Sequence, residues 1–298
     1  MKSKTLFIGL GVGASIVALF AFCIVAAKLL LNEKNIIFTG GKIGIIEVQG
    51  MIVDSSEFIK QLHEFRDNDR IRAVVLRIDS PGGAVGPSQE MYEEVRKFTQ
   101  KKKMVVSMGS LAASGGYYIA APANMIFANP GTVTGSIGVL MKLSNIQGLL
   151  GKVGLNSFVL KSGKFKDSGS PVRSMTKEDE QILQGVIDSM HGQFVKAVAD
   201  GRKIPVEEVG RIADGRIFSG EQALRFKLVD RLGNLQDAVS EAAKMAGIKG
   251  EPELVYPPEK KKSLIDFIIE GTSDRIANKL RLESGISARY ELRGDSYQ

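Results

Sequence analysis

This sequence predicts an α/β fold with mostly parallel strand pairing, and three observations carry that expectation. Its strand-like segments are short apolar runs bounded by turn residues, IRAVVLRID from Ile71 to Asp79 being the plainest. Strand, glycine loop and helix recur in that order, and such repeats pair their strands in parallel through helical crossovers. The two most glycine-rich turns of the body, Ser80 to Gly83 and Gly109 to Gly115, close two of those strands, at the ends where α/β sites assemble.

The chain opens on a stretch of another kind. From Thr5 to Ala27 there is no charged residue. At about 1.5 Å per residue this run covers about 35 Å, enough for a bilayer core of about 30 Å. It is longer than the apolar region of a cleaved secretory signal, so one uncleaved transmembrane anchor is expected at 5–27. Lys2 and Lys4 precede it, and the short basic segment 1–4 is expected to stay in the cytoplasm. Everything beyond a linker at 28–41 then lies on the extracytoplasmic side of the membrane.

The folded body is expected over 42–257. KIGIIEVQGMIV reads as its first strand, Ser55 to Asp67 as a helix with Phe58, Leu62 and Phe65 on one face, and Ile71 to Asp79 as the second strand. A helix from Ser88 to Gln100 and a strand from Met104 to Ser107 follow. The chain then breaks at Met108-Gly109-Ser110 and is expected to resume as a small-residue helix through Ala112 and Ala113 to Tyr118, before a short strand from Met125 to Ala128. Gly131 to Val139 reads as a small-residue turn and strand, and NIQGLLGKVGL as a helix with Ile146, Leu149 and Leu150 facing inward. Asn156 to Leu160 reads as a strand and KSGKFKDSGSPVR as a polar, basic loop.

Thr176 introduces a long amphipathic helix, Glu178 to Arg202, with an acidic first turn and a basic end. Three shorter helices, Pro205 to Ala213, Ser219 to Phe226 and Asn234 to Ala246, complete the body. Pro252, Pro257 and Pro258 close it, and a basic tail occupies 258–298. Two fates are open to the tail's apolar patch, Leu264, Phe267 and Ile268: docking on a neighbouring copy, or entering the site as a self-substrate.

Composition removes several function classes. The net charge of +7 is moderate, and Lys and Arg are dispersed among Asp and Glu, so nucleic acid is not the expected partner. The single cysteine, Cys23, sits inside the apolar run, which excludes an intrachain disulfide and a cysteine metal site. The two histidines, His63 and His191, fall on polar helical stretches. A hydrolase built from this chain is therefore not expected to use a Ser-His-Asp triad or a histidine-held zinc, and neither metal nor cofactor is expected.

The stretch VVSMGSLAASGGYYIAA is the candidate centre. A helix start made of Ala, Ser and Gly buries little area, but it lets another backbone approach while its unpaired N–H groups face outward. A hydroxyl there meets donors that favour a developing negative charge, as acyl transfer through serine requires, so Ser114 is a nucleophile candidate. The competing use of A-A-S-G-G is simple close packing. Without a histidine base, a lysine can activate the serine if it is neutral when it takes the proton, which means lowering an ordinary value near 10.4 toward about 7 to 8 by burial. Lys161, Lys164 and Lys166 are candidates and Ser136 offers an orienting hydroxyl; alternation puts Lys164 and Lys166 on one side, so spacing does not choose between them. The loop Ser80 to Gly83 and the Gly115 amide offer unobstructed backbone donors for an oxyanion. No Gly-Lys-Ser/Thr follows that loop, so phosphate binding is a poor alternative.

Four motifs in order, D-S-P-G-G (Asp79 to Gly83), S-M-G-S-L-A-A-S-G-G-Y-Y (Ser107 to Tyr118), T-G-S-I-G-V (Thr134 to Val139) and S-G-K-F-K-D (Ser162 to Asp167), resemble the signal peptide peptidase A (protease IV) family, in its short single-core form. The resemblance covers about Lys42 to Ala246. It implies a ClpP/crotonase-like α/β fold of repeated β-β-α units, with Ser114 as nucleophile, Lys166 as general base, Ser136 hydrogen-bonded to that amine, and Gly83 and Gly115 as the oxyanion hole. Phe165 stands where the family usually has Tyr.

The resemblance also implies a homo-oligomeric ring with sites shared between subunits, and extended hydrophobic peptides such as released signal peptides as substrates. Two other readings remain at this stage: a crotonase-like acyl-thioester isomerase or hydratase, and a catalytically silent membrane scaffold.

Overall fold

The computed structural model describes residues 41–258 and the strand at 288–291; the expected anchor at 5–27 and most of the tail at 258–298 lie outside the described residues. In chain order the first half holds β1 (Lys42–Gln49), α1 (Ser56–Asp67), β2 (Ile71–Ser80), β3 (Gly82–Ala84), α2 (Val85–Thr99), β4 (Lys103–Ala113), α3 (Gly115–Ala120), β5 (Met125–Ala128), β6 (Val133–Gly135) and β7 (Leu140–Met141). The second half holds α4 (Gln147–Lys152), α5 (Lys177–Arg202), α6 (Val206–Gly210), β8 (Ile217–Ser219), α7 (Gly220–Arg225), β9 (Arg231–Leu232), α8 (Leu235–Met245), β10 (Glu253–Val255) and β11 (Ala288–Glu291).

The main sheet runs β10-β1-β2-β4-β5-β9, every neighbouring pair parallel, as the strand–loop–helix order predicts. Alternation along each strand divides its side chains between two cores. Ile46, Val48, Val74, Leu76, Ile78, Met104 and Val106 face α1, α2, α3 and α5 through Leu62, Val95, Phe98, Tyr117 and Phe194. Ile43, Ile45, Ala73, Val75 and Val105 face α8 through Ala238, Val239 and Ala242. Burial on both faces is why these strands read as continuous apolar runs.

Two departures from the sequence reading matter for the site. β4 does not break at Gly109: it runs through to Ala113, and the helix begins only at Gly115. The strand survives its glycine because a second set of partners takes over there. The β2–β4 ladder shifts register between Ile78 and Ser80, Asp79 Oδ1 accepts from Leu111 N at 3.1 Å, and β6 pairs Leu111–Ala113. β6 in turn carries β8 antiparallel, so the end of β4 is clasped from both sides.

The second departure is the region after β7. α4 forms, but Ile146 and Leu149 are exposed, and residues 156–160 form no strand, with Phe158 at 89% exposure and Leu160 fully exposed. β-branched and aromatic residues suggested a strand, yet among the described residues no strand offers this segment a ladder and no residue of α4 is buried. α5 splits likewise. Its first half exposes Ile182 and Val186, while its second half buries Phe194, Val195, Val198 and Ala199. The expected capping signal at Thr176 is a full capping box with Asp179, which supplies two of the orphan donors of the helix start.

A separate three-stranded sheet, β3-β11-β7, is antiparallel at both pairings. The loop Ser80 to Gly83 is thus partly strand, bridged on its other side by Ile52.

The far end of α5 packs by backbone approach. A Cβ on Gly201 would stand 2.4 Å from the Ala121 carbonyl oxygen just beyond α3. Gly201→Ala is expected to cost about 1–3 kcal/mol of unfolding free energy, read as a lower urea midpoint with an unchanged slope.

Candidate active site

Ser114 joins β4 to α3 in a conformation that L residues rarely adopt, φ 54 and ψ −120. Holding a non-glycine residue there costs about 1–3 kcal/mol, and it persists only where the surroundings fix it. They do. Ser114 N donates to Gly135 O at 2.8 Å, Tyr118 N donates to Ser114 O at 2.8 Å, and Thr134 Oγ1 donates to Ala112 O at 2.6 Å. Behind the turn the wholly buried Tyr117 donates its hydroxyl to Leu228 O at 2.8 Å. Ser114 itself is 1% exposed.

Gly83 and Gly115 come together at this turn. A Cβ on Gly115 would stand 3.2 Å from Gly83 N and 2.6 Å from Ser88 Oγ, so the two backbones touch and only glycine fits. Ser80 shapes the approach, accepting from Gly82 N at 3.1 Å and donating to Gly50 O at 2.6 Å. On its outer side β3 is pinned by Ile52, whose N–H donates to Gly82 O at 2.8 Å and whose carbonyl accepts from Ala84 N at 2.7 Å. Consecutive residues of a strand aim their peptide groups to opposite sides. The Gly83 N–H therefore faces away from Ile52, into the channel that β11 occupies.

Ser136 directly follows the residue whose carbonyl holds the Ser114 amide. It too has positive φ, 51, and its N–H donates to Arg216 O at 2.8 Å. It opens on a cavity of about 380 Å³ lined by Gly138, Leu140, Ile187 and His191. A larger cleft of about 980 Å³ lies at the opposite end of α3, against Tyr118, Arg202 and Asp230. Both histidines have partners: His63 Nε2 lies 2.6 Å from Glu94 Oε2, and His191, in the wall of the smaller cavity, has its Nε2 2.7 Å from Ala213 O.

Residues 161–170 form consecutive turns on the surface, and among the described residues no hydrogen bond joins Lys166 to Ser114 or Ser136. The three lysines nonetheless differ. Lys161 is paired with Asp167 and Lys164 with Glu178, the latter at 2.7 Å, whereas Lys166 Nζ has no ion-pair partner among the described residues.

A salt-bridge clamp fixes the loop next to Lys166. Arg173 forks between Asp167, at 2.9 Å through Nε, and Asp179, at 2.6 Å through Nη1. Asp179 also closes the capping box of α5, so the loop is fastened to a helix start. The Arg173 hydrogen bonds, followed by Lys161 for Asp167 and Ser168 for Asp179, hold both carboxyls well below the usual carboxylate range. Sequence reading missed this clamp and the positioning work of Asp79, Ser80 and Ser88. The visible signals were an Asp at a strand end before S-P-G-G and a T-x-x-D before a long helix.

Comparison with known proteins gives a consistent picture. Residues 96–249 match the model of peptidase family S49, and residues 23–132 match that of Clp protease. A protein of Synechocystis sp. with a protease name is 44% identical over 237 residues, 79% of this chain and 85% of that protein. A protein of Enterococcus faecium bearing the name signal peptide peptidase SppA is 36% identical, over 68% of this chain and 63% of its own length. Serine protease SPPA, chloroplastic, of Arabidopsis thaliana is 31% identical over 81% of this chain and 35% of that protein.

The clamp has a definite pH signature. Both aspartates have folded values below the roughly 3.9 of an unfolded Asp, so the ordering they give is complete above that pH and is lost as pH falls through the folded values. Amide exchange over residues 161–179, corrected for intrinsic rate, is expected to stay slow from pH 8 down to about 4 and to speed up only below it. In Arg173→Gln it should be fast at neutral pH, about tenfold or more.

Proposed function

Since this chain belongs to peptidase family S49, we propose that it is a membrane-anchored serine endopeptidase, with Ser114 as nucleophile and Lys166 as general base. The observation that carries the reading is the strained Ser114 turn set against the Gly83 and Gly115 amides. In the proposed step Ser114 Oγ bonds to the carbonyl carbon of an extended peptide while its proton passes to the Lys166 amine. The carbonyl oxygen, now negative, takes hydrogen bonds from Gly83 N–H and Gly115 N–H, each donor worth about 10²–10³ in rate. The C–N bond breaks, the amine returns the proton to the departing nitrogen, and water then hydrolyses the ester by the reverse roles.

Lys166 reaches a Ser114 in this reading by assembly. Its surroundings, residues 146–165, expose Leu149, Val153, Leu155, Phe158 and Leu160, far more apolar surface than a free loop keeps in water. A neighbouring copy that covers this arm would bring Lys166 over the Ser136 and Ser114 of the next subunit and exclude water from it, so that a ring shares its sites. Ser136 is then the hydroxyl that orients the amine.

Released signal peptides and other hydrophobic segments are the proposed substrates, in keeping with the name of the Enterococcus relative. The division proposed is a cytoplasmic start at 1–4, an anchor at 5–27, a linker at 28–41, an extracytoplasmic protease domain at 42–257 and a tail at 258–298. No helix of the described residues is long and apolar enough to cross a membrane.

Ser114→Ala and Lys166→Ala are each expected to abolish cleavage of an apolar peptide without loss of fold by circular dichroism. Co-assembled in equal amounts, the two inactive proteins should recover about a quarter of wild-type activity, because one pairing in four unites an intact serine with a neighbour's intact lysine. Full activity in either single variant would remove the dyad, and zero recovery would place both residues in one chain.

A further inference from the structure

The chain enters the body at the edge of the main sheet where the parallel strands start. Lys42 N donates to Arg70 O at 3.0 Å, and a Cβ on Gly41 would stand 2.3 Å from Arg72 Cγ, so the residues before β1 arrive across the Arg72 side chain. Ala73 of β2 pairs with Lys103 of β4, which sets Arg70, Arg72, Lys101 and Lys103 along this one edge. All of them are exposed, and none has an ion-pair partner among the described residues. A groove of about 540 Å³ runs past Arg72, Lys101 and Lys103, lined also by Met245 and Ala246 at the end of α8.

Nearby carboxylates do not cancel this charge. Asp67 is paired with Arg66 at 2.7 Å and Glu253 with Lys42 at 2.6 Å, which leaves Asp69 as the one carboxylate lining the groove among the described residues. Lys102 is spent on the chain itself, donating to Phe65 O at 3.0 Å and to Asn68 O at 2.7 Å. Exposed cations elsewhere, such as Lys196, Arg216 and Arg231, each reach a carboxylate within 2.8 Å.

We propose that this edge docks on anionic phospholipid headgroups, their phosphates lying along Arg70, Arg72, Lys101 and Lys103, so that the protease domain stands on the bilayer with its strand starts downward. The choice of a lipid surface rests on the anchor proposed at 5–27. A linker of 28–41 spans at most about 50 Å even when fully extended, which keeps the edge that it joins close to the membrane. A negatively charged bilayer raises the occupancy of each nearby Lys or Arg about fivefold, and the guanidinium fork matches two phosphate oxygens. Docked in this way, the domain holds its nucleophile high. β4 starts at Lys103 and ends at Ala113 beside Ser114, and its 11 residues rise about 35 Å. At that height Ser114 meets peptides already free of the bilayer and misses chains that still span it.

Amine labelling of the full-length protein in vesicles tests the docking. Lys101 and Lys103 should react about fivefold or more slowly with a water-soluble acylating reagent in vesicles of about one-third phosphatidylglycerol in phosphatidylcholine than in phosphatidylcholine alone. Lys177, exposed at the start of α5, should react alike in both. Raising salt from about 0.1 M to about 1 M shortens the screening length from about 10 Å to about 3 Å and should abolish the difference. Arg70→Gln/Arg72→Gln keeps the stem that packs on Gly41 and both reporter amines, and it should lose the protection with its circular dichroism unchanged. Equal labelling in the two vesicles, in a protein that co-floats with both, overturns the docking and leaves the anchor. Protection by inorganic phosphate on neutral vesicles, equal to that by the anionic lipid, assigns the edge to free phosphate and also overturns the docking. A protein that co-floats only with the anionic vesicles and is released by salt overturns the anchor and keeps the docking; one that co-floats with neither overturns both.

Discussion

The reversal of the chain at Ser114 is the constraint on which the rest of the site depends. A serine at φ 54 and ψ −120 is uphill by itself, and nothing local in A-A-S-G-G makes it favourable. It is held because both sides of the turn are anchored at long range: the end of β4 by β6 and Asp79, and the start of α3 by burial of Tyr117 and by Gly115 and Gly116 resting on β3 and Ser80. The small residues are thus the cost of bringing three backbones to one point. A side chain at Gly115 would push Gly83 away, and the pair of donors would separate.

The molecule divides its work between two kinds of surface. The body buries its strands on both faces and holds the serine and the amides rigidly. The arm from β7 to the first half of α5 does the opposite, exposing leucine, valine and phenylalanine while a charged clamp fixes its shape. The clamp is itself partly buried, Asp179 being 2% exposed, and it gives this arm a fixed shape where its apolar side chains build no core among the described residues.

Toward the space between β3 and β7 the chain presents mainly peptide groups. Gly82, Gly83 and Ala84 offer backbone alone, or nearly so, and an antiparallel ladder reads extension and direction before it reads side chains. Under the proposed function, this arrangement lets many apolar sequences be accepted.

The sequence by itself determined the parallel α/β body, the long capped helix at Thr176 and the candidate set Ser114, Ser136, Gly83 and Gly115, because apolar periodicity, caps and glycine turns are local signals that survive without neighbours. It also narrowed the proposed base to three lysines in Lys161 to Lys166, though periodicity alone did not separate them. Only the tertiary structure decided that β4 runs through Gly109, that Asn156 to Leu160 is not a strand, that Asp167 and Glu178 engage two of the lysines, and that β11 lies beside Gly83. Each of these turns on which distant group arrives to satisfy a backbone amide or a charge. Pairing across such separations is fixed by the assembled sheet and not by any window of the chain.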